Sequence, residues 1–266
     1  MKLHLMDFGE LTMDQGWFLE GAGTSTLSNP NPENVGRKAK MMGILIEHPK
    51  HGLILYEVGP GPNYKELCPG LLHEMFPITS YTDENRLDRQ LKKVGYNLKD
   101  VSAIVLGHMH IDHAGGLELF SGTDVPIYVH ELELKYAFYA VATKQDYGAY
   151  LPYYIDPSLN WKAIEEPEFE LFEGITVYHT PGHTPGCMAM KVDLKNTGPF
   201  VLTTDTFFFK ENYDDERAQG WLIRDRLAWW RSLRKIKNIV ARCNAHVIFG
   251  HDPEVFVEYS KETFYD

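Results

Sequence analysis

The stretch GHMHIDHAGG, residues 107–116, places three histidines and an aspartate within six positions and follows them with two glycines. An apolar core cannot hold that set, because every ring nitrogen and carboxylate oxygen would need a partner. A chain that carries it must fold so as to supply those partners. The residues before it, VSAIVLG (101–107), form an apolar run closed by glycine and read as a buried strand. The cluster therefore sits in the loop leaving a strand. In an extended loop alternate side chains share a direction, so His108 and His110 can serve one metal ion, and Asp112 with His113 a second beside it.

These four residues leave each ion short of ligands, and three further candidates stand at strand ends. His183 lies in TPGHTPG after the apolar run 175–180, Asp205 closes FVLTTD, and His251 follows HVIFG. Singly, each reads as an ordinary loop residue; jointly with HxHxDH they read as one metal site. Imidazole and carboxylate donors suit zinc first, and also iron, manganese, cobalt or nickel. His4, His48, His51, His73, His130, His179 and His246 show no ligand spacing and are assigned no metal. GPGP at 59–62 lacks the Lys-Ser/Thr of a phosphate-binding loop and reads as a turn.

Around the site the chain alternates short apolar runs with turn residues. MMGILIEHP (41–49) and GLILYEVG (52–59) read as a hairpin turned by KHG. A helix is expected at 83–94, stopped by Gly95, with Leu87, Leu91 and Val94 on one face. Another strand is expected at 126–130, a helix at 131–142 and a long loop or lid at 143–167. Further strands are expected at 169–172, 175–180, 187–193, 199–204 and 245–250. Two strand-rich halves, each followed by helices, predict an α/β fold: an αββα sandwich of two mixed sheets with helices outside, in one domain spanning 1–266.

Charge and composition narrow the partners. The net charge of −11 disfavours nucleic acid, whose binders usually show a basic stripe. The one basic-rich stretch, Ile223–Arg242, reads as an amphipathic helix with Leu227, Trp230, Leu233, Ile236 and Val240 inward and Arg and Lys in solvent. No run approaches the roughly 20 apolar residues of a membrane span. The acidic start MKLHLMDFGELTMD shows no targeting segment, and Cys68, Cys187 and Cys243 form no CxxC pair. A cytoplasmic setting is the expectation, without a membrane partner.

HMHIDH, TPGHTPG, TTD and FGHD reproduce, in order, the metal motifs of the metallo-β-lactamase fold superfamily. The chain most resembles that superfamily's N-acyl-homoserine lactonases. ENRLDRQLKKVGYNLKDVSAIVLGHMHIDHAGG, LTTDTFFFKENYDDE and VIFGHDPE carry the likeness, which covers about Lys40 to Glu254. The resemblance implies a dinuclear centre of two divalent metal ions, with His108, His110 and His183 on one, Asp112, His113 and His251 on the other, and Asp205 bridging. It implies hydrolysis of a small-molecule lactone, an N-acyl-homoserine lactone or similar, with Asp112 as proton shuttle, and a homodimer. True β-lactamases of the fold carry a cysteine ligand where Asp205 stands, and glyoxalase-II-type relatives add a C-terminal helical domain.

Two positions depart from the lactonase pattern. Phe208 stands where the family has a tyrosine facing the substrate carbonyl; either the metals carry the developing oxyanion alone, or another donor substitutes, with Tyr153, Tyr154 and Tyr213 as candidates. Glu57 stands where the family has aspartate; a longer carboxylate there either orients a ligand histidine or is a different, structural acid. Trp17, Phe18, Phe207 to Phe209 and the Tyr-rich stretch 147–154 are candidates to line an apolar pocket. Hydrolysis of another cyclic ester, carbamate or lactam is the alternative reading, and a metal-bearing binding protein without turnover a further one.

Overall fold

A computed structural model describes residues 1–146 and 148–266. Tyr147, at the head of the Tyr-rich stretch, lies outside the described residues. Seven of the strands are β1 (Lys2–Asp14), β2 (Gly36–His48), β3 (Gly52–Tyr56), β4 (Ile78–Ser80), β5 (Val101–Val105), β6 (Ile127–His130) and β7 (Trp161–Ile164). They form one sheet in the order β4-β1-β2-β3-β5-β6-β7. The others, β8 (Glu168–Phe172), β9 (Ile175–His179), β10 (Met188–Asp193), β11 (Pro199–Leu202) and β12 (His246–Ile248), form a second in the order β12-β11-β10-β9-β8. Both are mixed: β3, β5, β6 and β7 run parallel, as do β11 and β12, and the remaining neighbours are antiparallel.

Alternation sends successive side chains to opposite faces, and here both faces of the first sheet are buried. Ile44, Ile46, Ile54, Tyr56, Ala103 and Val105 enter a core shared with Val177, Met190 and Leu202 of the second sheet. Their neighbours Leu45, Leu53, Leu55 and Ile104 enter another core with Leu87, Leu91 and Ala137 from covering helices. Double burial explains why these strands read as near-continuous apolar runs. On the far side of the second sheet the helix Arg226–Cys243 sends Trp229, Leu233 and Ile236 inward. The layers are therefore helix, sheet, sheet, helix, as expected.

Several details differ from the sequence reading. The helix expected at 83–94 divides into a 3-10 turn, Asp83–Asn85, and an α-helix, Leu87–Lys93, ending before Gly95 at φ +89°. The stretch taken as loop contains β7, which pairs parallel to β6. In the long helix Leu227 is 70% exposed while Trp229 is fully buried, so the inward face is rotated from the one expected. β1 has no counterpart in the sequence reading. A bulge between Asp7 and Glu10 shifts its buried set from Met6 and Phe8 to Leu11 and Met13, which breaks the simple alternation. No helix among the described residues is long and apolar enough to cross a membrane.

Candidate metal centre

The strand ends of the two sheets meet at one place. β5 delivers His108, His110, Asp112 and His113, the loop after β9 delivers His183, and the turns after β11 and β12 deliver Asp205 and His251. Asp205 divides the cluster. Its Oδ2 lies 3.2 Å from His183 Nε2 and 3.6 Å from His108 Nε2; its Oδ1 lies 3.2 Å from His113 Nε2 and 3.0 Å from His251 Nε2. On the first side His110 Nδ1 is 3.0 Å from His183 Nε2. On the second, Asp112 Oδ2 is 3.5 Å from both His113 Nε2 and His251 Nε2, which are 3.2 Å from each other.

These distances fit metal ions. Donors placed tetrahedrally about 2.0–2.1 Å from an ion are separated from one another by about 3.3 Å. The electrostatics point the same way. Burial, with the neighbouring imidazoles, holds His108 and His110 well below the usual histidine range, and burial holds His183 down to about 4. They therefore present lone pairs. His113 and His251 are pushed up despite burial, by Asp205 first and then Asp112. One half of the cluster offers electron pairs and the other calls for positive charge, which divalent cations satisfy together. His108 Nε2, His110 Nε2 and Asp205 Oδ1 are buried with no hydrogen-bond partner among the described residues. The donor groups on either side of Asp205 could hold metal.

Backbone and buried side chains aim these donors. Glu57 accepts from the Gly107 N–H at 3.0 Å and the Thr204 hydroxyl at 2.9 Å, and its Oε1 stands 3.7 Å from His113 Nδ1. It thus sits behind the rings. Both Glu57 (φ +65°) and Thr204 (φ +42°) hold left-handed backbone, a strain typical of sites that fix geometry. Gly107 cannot carry a Cβ, which would meet Glu57 Oε1 at 2.5 Å and Thr204 Cγ2 at 2.6 Å. His183 Nδ1 faces Gln219 Oε1 at 2.9 Å, and His251 Nδ1 donates to the Lys40 carbonyl at 2.9 Å.

Glu133 joins the two ligand loops. This fully buried carboxylate accepts from Met109 N–H (2.9 Å), Gly186 N–H (3.2 Å) and the Tyr150 hydroxyl (2.9 Å), and the Tyr150 ring packs on His110. Gly186 allows the approach, since a Cβ there would lie 2.1 Å from Glu133 N. A buried acid of this kind has no signature in sequence. Neither have Gln219 and Thr204.

Above the cluster opens a cavity of about 320 Å³. His110, Asp112, His183, Asp205 and His251 line its floor, and Leu11, Met13, Trp17, Phe76, Ile78 and Trp221 line much of its wall. Phe208 also lines it, its ring centroid 5.3 Å from those of His183 and His251. Of the other aromatic candidates among the described residues only Trp17 reaches the cavity; Phe18, Phe207 and Phe209 are core. The candidate donors Tyr153, Tyr154 and Tyr213 do not line it. Tyr154 donates to the Met109 and Ala149 carbonyls, half-buried Tyr153 has its hydroxyl beside Gly115, and Tyr213 packs on Phe207 and Phe249. Arg224 and Asp146 also line the cavity, and neither belongs to a motif legible in the sequence.

A family model of the metallo-beta-lactamase superfamily matches residues 44–251. An N-acyl homoserine lactonase from a Bacillus species is 34% identical over 219 residues, covering 79% of this chain and 83% of that protein. The N-acyl homoserine lactonase AiiB of Agrobacterium fabrum is 26% identical over 281 residues, covering 100% and 99%. A solved N-acyl homoserine lactone hydrolase, with the product N-hexanoyl-L-homoserine at its catalytic metal centre, superimposes with a TM-score of 0.81 at 27% identity, covering 97% of this chain and 95% of that one.

Proposed function

Because this chain belongs to the metallo-β-lactamase superfamily, we infer that it is a metal-dependent hydrolase that opens a lactone ring, with N-acyl homoserine lactones as the leading substrates. The observation that carries the reading is Asp205, whose two oxygens face two sets of imidazoles beneath an apolar cavity. We assign His108, His110 and His183 to one ion, Asp112, His113 and His251 to the other, and Asp205 to both. The nitrogen and oxygen donors favour zinc. The full length is read as one domain acting in the cytoplasm.

Divalent ions held at such a site lower the pKa of water to about 7 and stabilise negative charge developing on a carbonyl oxygen. The chain's own residues do the rest. Asp112 is held below the usual carboxylate range by His113 and His251, against the opposing effect of burial, and it lines the cavity. It can accept the proton of the attacking water. As the water oxygen adds to the ring carbonyl and the ring C–O bond breaks, Asp112 returns that proton to the departing alkoxide. The apolar wall excludes water and receives an acyl chain. Phe208 supplies shape at the ring but no hydrogen bond.

The test is metal analysis joined to ring-opening assays on lactones, a lactam and a cyclic carbamate, followed by acid release. Two ions per chain and opening of N-acyl homoserine lactones are expected, both lost on chelation, with Asp112→Asn lowering kcat at least a hundredfold. Turnover of only the lactam or carbamate would move the substrate class. Unchanged activity in Asp112→Asn would overturn the role of that residue.

A further inference from the structure

One part of the cavity wall is polar and held rigid. Arg224 lies just before the helix Arg226–Cys243 and lines the cavity with Asp146. Its Nε donates to Asp146 Oδ2 at 2.9 Å, and its Nη1 donates to the carbonyls of His183 at 3.2 Å and Leu222 at 2.9 Å. The Tyr136 hydroxyl holds Asp146 in turn, at 2.6 Å. Nη2 makes no hydrogen bond among the described residues, and 22% of the side chain is accessible. The result is a donor whose direction is fixed before any ligand arrives.

We propose that Arg224 is a specificity determinant: Nη2 donates to the carbonyl oxygen of an amide carried on the lactone ring. The inference rests on the lactone-hydrolase reading and refines its substrate. Three observations support it. Arg224 is bonded to the backbone of His183, whose ring faces Asp205, so the guanidinium flanks the floor where the ring must lie. The charge of Arg224 is already balanced by Asp146, so this wall offers a hydrogen bond more than a net charge and suits a neutral acceptor better than a carboxylate. Beyond it the wall is apolar, as a chain continuing past an amide requires. An alkyl lactone without the amide leaves Nη2 unpaired on binding, and a site built to bond a polar group discriminates against the analogue that lacks it.

The experiment compares N-hexanoyl-homoserine lactone with α-hexyl-γ-butyrolactone, which has the same ring and an alkyl chain on the same ring carbon but no amide. The ratio of their kcat/KM values is read in the metal-loaded wild type, in Arg224→Met, which keeps the apolar stem, and in Arg224→Lys, which keeps the charge but not the fork. The ratio is expected to fall at least tenfold, about 1.4 kcal/mol, in both variants and chiefly through KM. A ratio within twofold of wild type in either variant, with the two activities falling together or not at all, would overturn the proposal and leave Arg224 a brace for the His183 loop. A metal-loaded wild type that opens neither lactone would overturn the lactone reading itself, a result distinct from an unchanged ratio.

Discussion

Replacing Glu133 with glutamine tests whether the ligand loops are held by one buried carboxylate. Each group bonded to Glu133 is a donor: Met109 N–H and Tyr150 O–H reach Oε1, and Gly186 N–H reaches Oε2. An amide of the same shape keeps only one acceptor atom. Its oxygen will take the Oε1 position, where two donors converge, and its NH2 will then face the Gly186 N–H. One hydrogen bond to a charged acceptor, about 1.5–3 kcal/mol, is lost, and the other two become neutral bonds of about 1 kcal/mol each. Burial pushes the pKa of Glu133 up, and the donors around it oppose that. Relief of the buried charge offsets part of the loss. The net expectation is about 2–4 kcal/mol of stability, measured by urea unfolding. Met109 lies between His108 and His110, and Gly186 lies three residues after His183. The variant should therefore also release metal to a competing chelator at least tenfold more readily, the size of effect seen when a partner of a metal ligand is removed. Stability within about 0.5 kcal/mol of wild type together with unaltered metal retention would refute the reasoning. An equal loss with and without metal would leave Glu133 a purely structural residue.

Phe208→Tyr adds a hydroxyl at a ring that borders the cavity and lies beside His183 and His251. Turnover of N-acyl homoserine lactones should rise by more than about tenfold, or 1.4 kcal/mol, and an unchanged rate would show that the site already stabilises the oxyanion fully. His130 makes a separate prediction for acid stability. Burial, with stacked His179 at 3.8 Å and Lys235, lowers its pKa to about 4, and its Nδ1 accepts the Leu132 N–H as a helix cap, a role only the neutral ring can fill. Between pH 6.5 and about 4 the unfolded chain takes up a proton that the folded one refuses, so stability should fall as pH drops through that window, by at most about 3 kcal/mol. In chelated protein His130→Asn, which keeps a capping oxygen, should flatten the fall, and an undiminished slope would rule His130 out as its source.

What could be read from sequence follows from how few residue types can do each job. The histidines and aspartate of 108–113, with His183, Asp205 and His251, stand out because imidazole and carboxylate are among the few side chains that can hold a metal, and because each follows a strand whose apolar run is itself legible. β2, β3 and β5 were readable for the related reason that burial on both faces demands unbroken apolar sequence. β1 was not, because the bulge after Asp7 changes which residues face inward. β7 was not either: Trp161–Ile164 is four residues long, with Lys162 and Ala163 exposed, and its parallel pairing to β6 is a tertiary fact. The cavity wall was least legible. It needs only bulk, which Leu11, Met13, Phe76, Ile78 and Trp221 supply from segments far apart in sequence. Arg224 illustrates the limit. In sequence it opens a run of basic residues suited to a solvated helix face, and its own function depends on Asp146 and the His183 carbonyl, neither of which is near it in the chain. The chemistry of this protein is therefore written locally, at strand ends, whereas its choice of substrate is spread over contacts that only folding brings together.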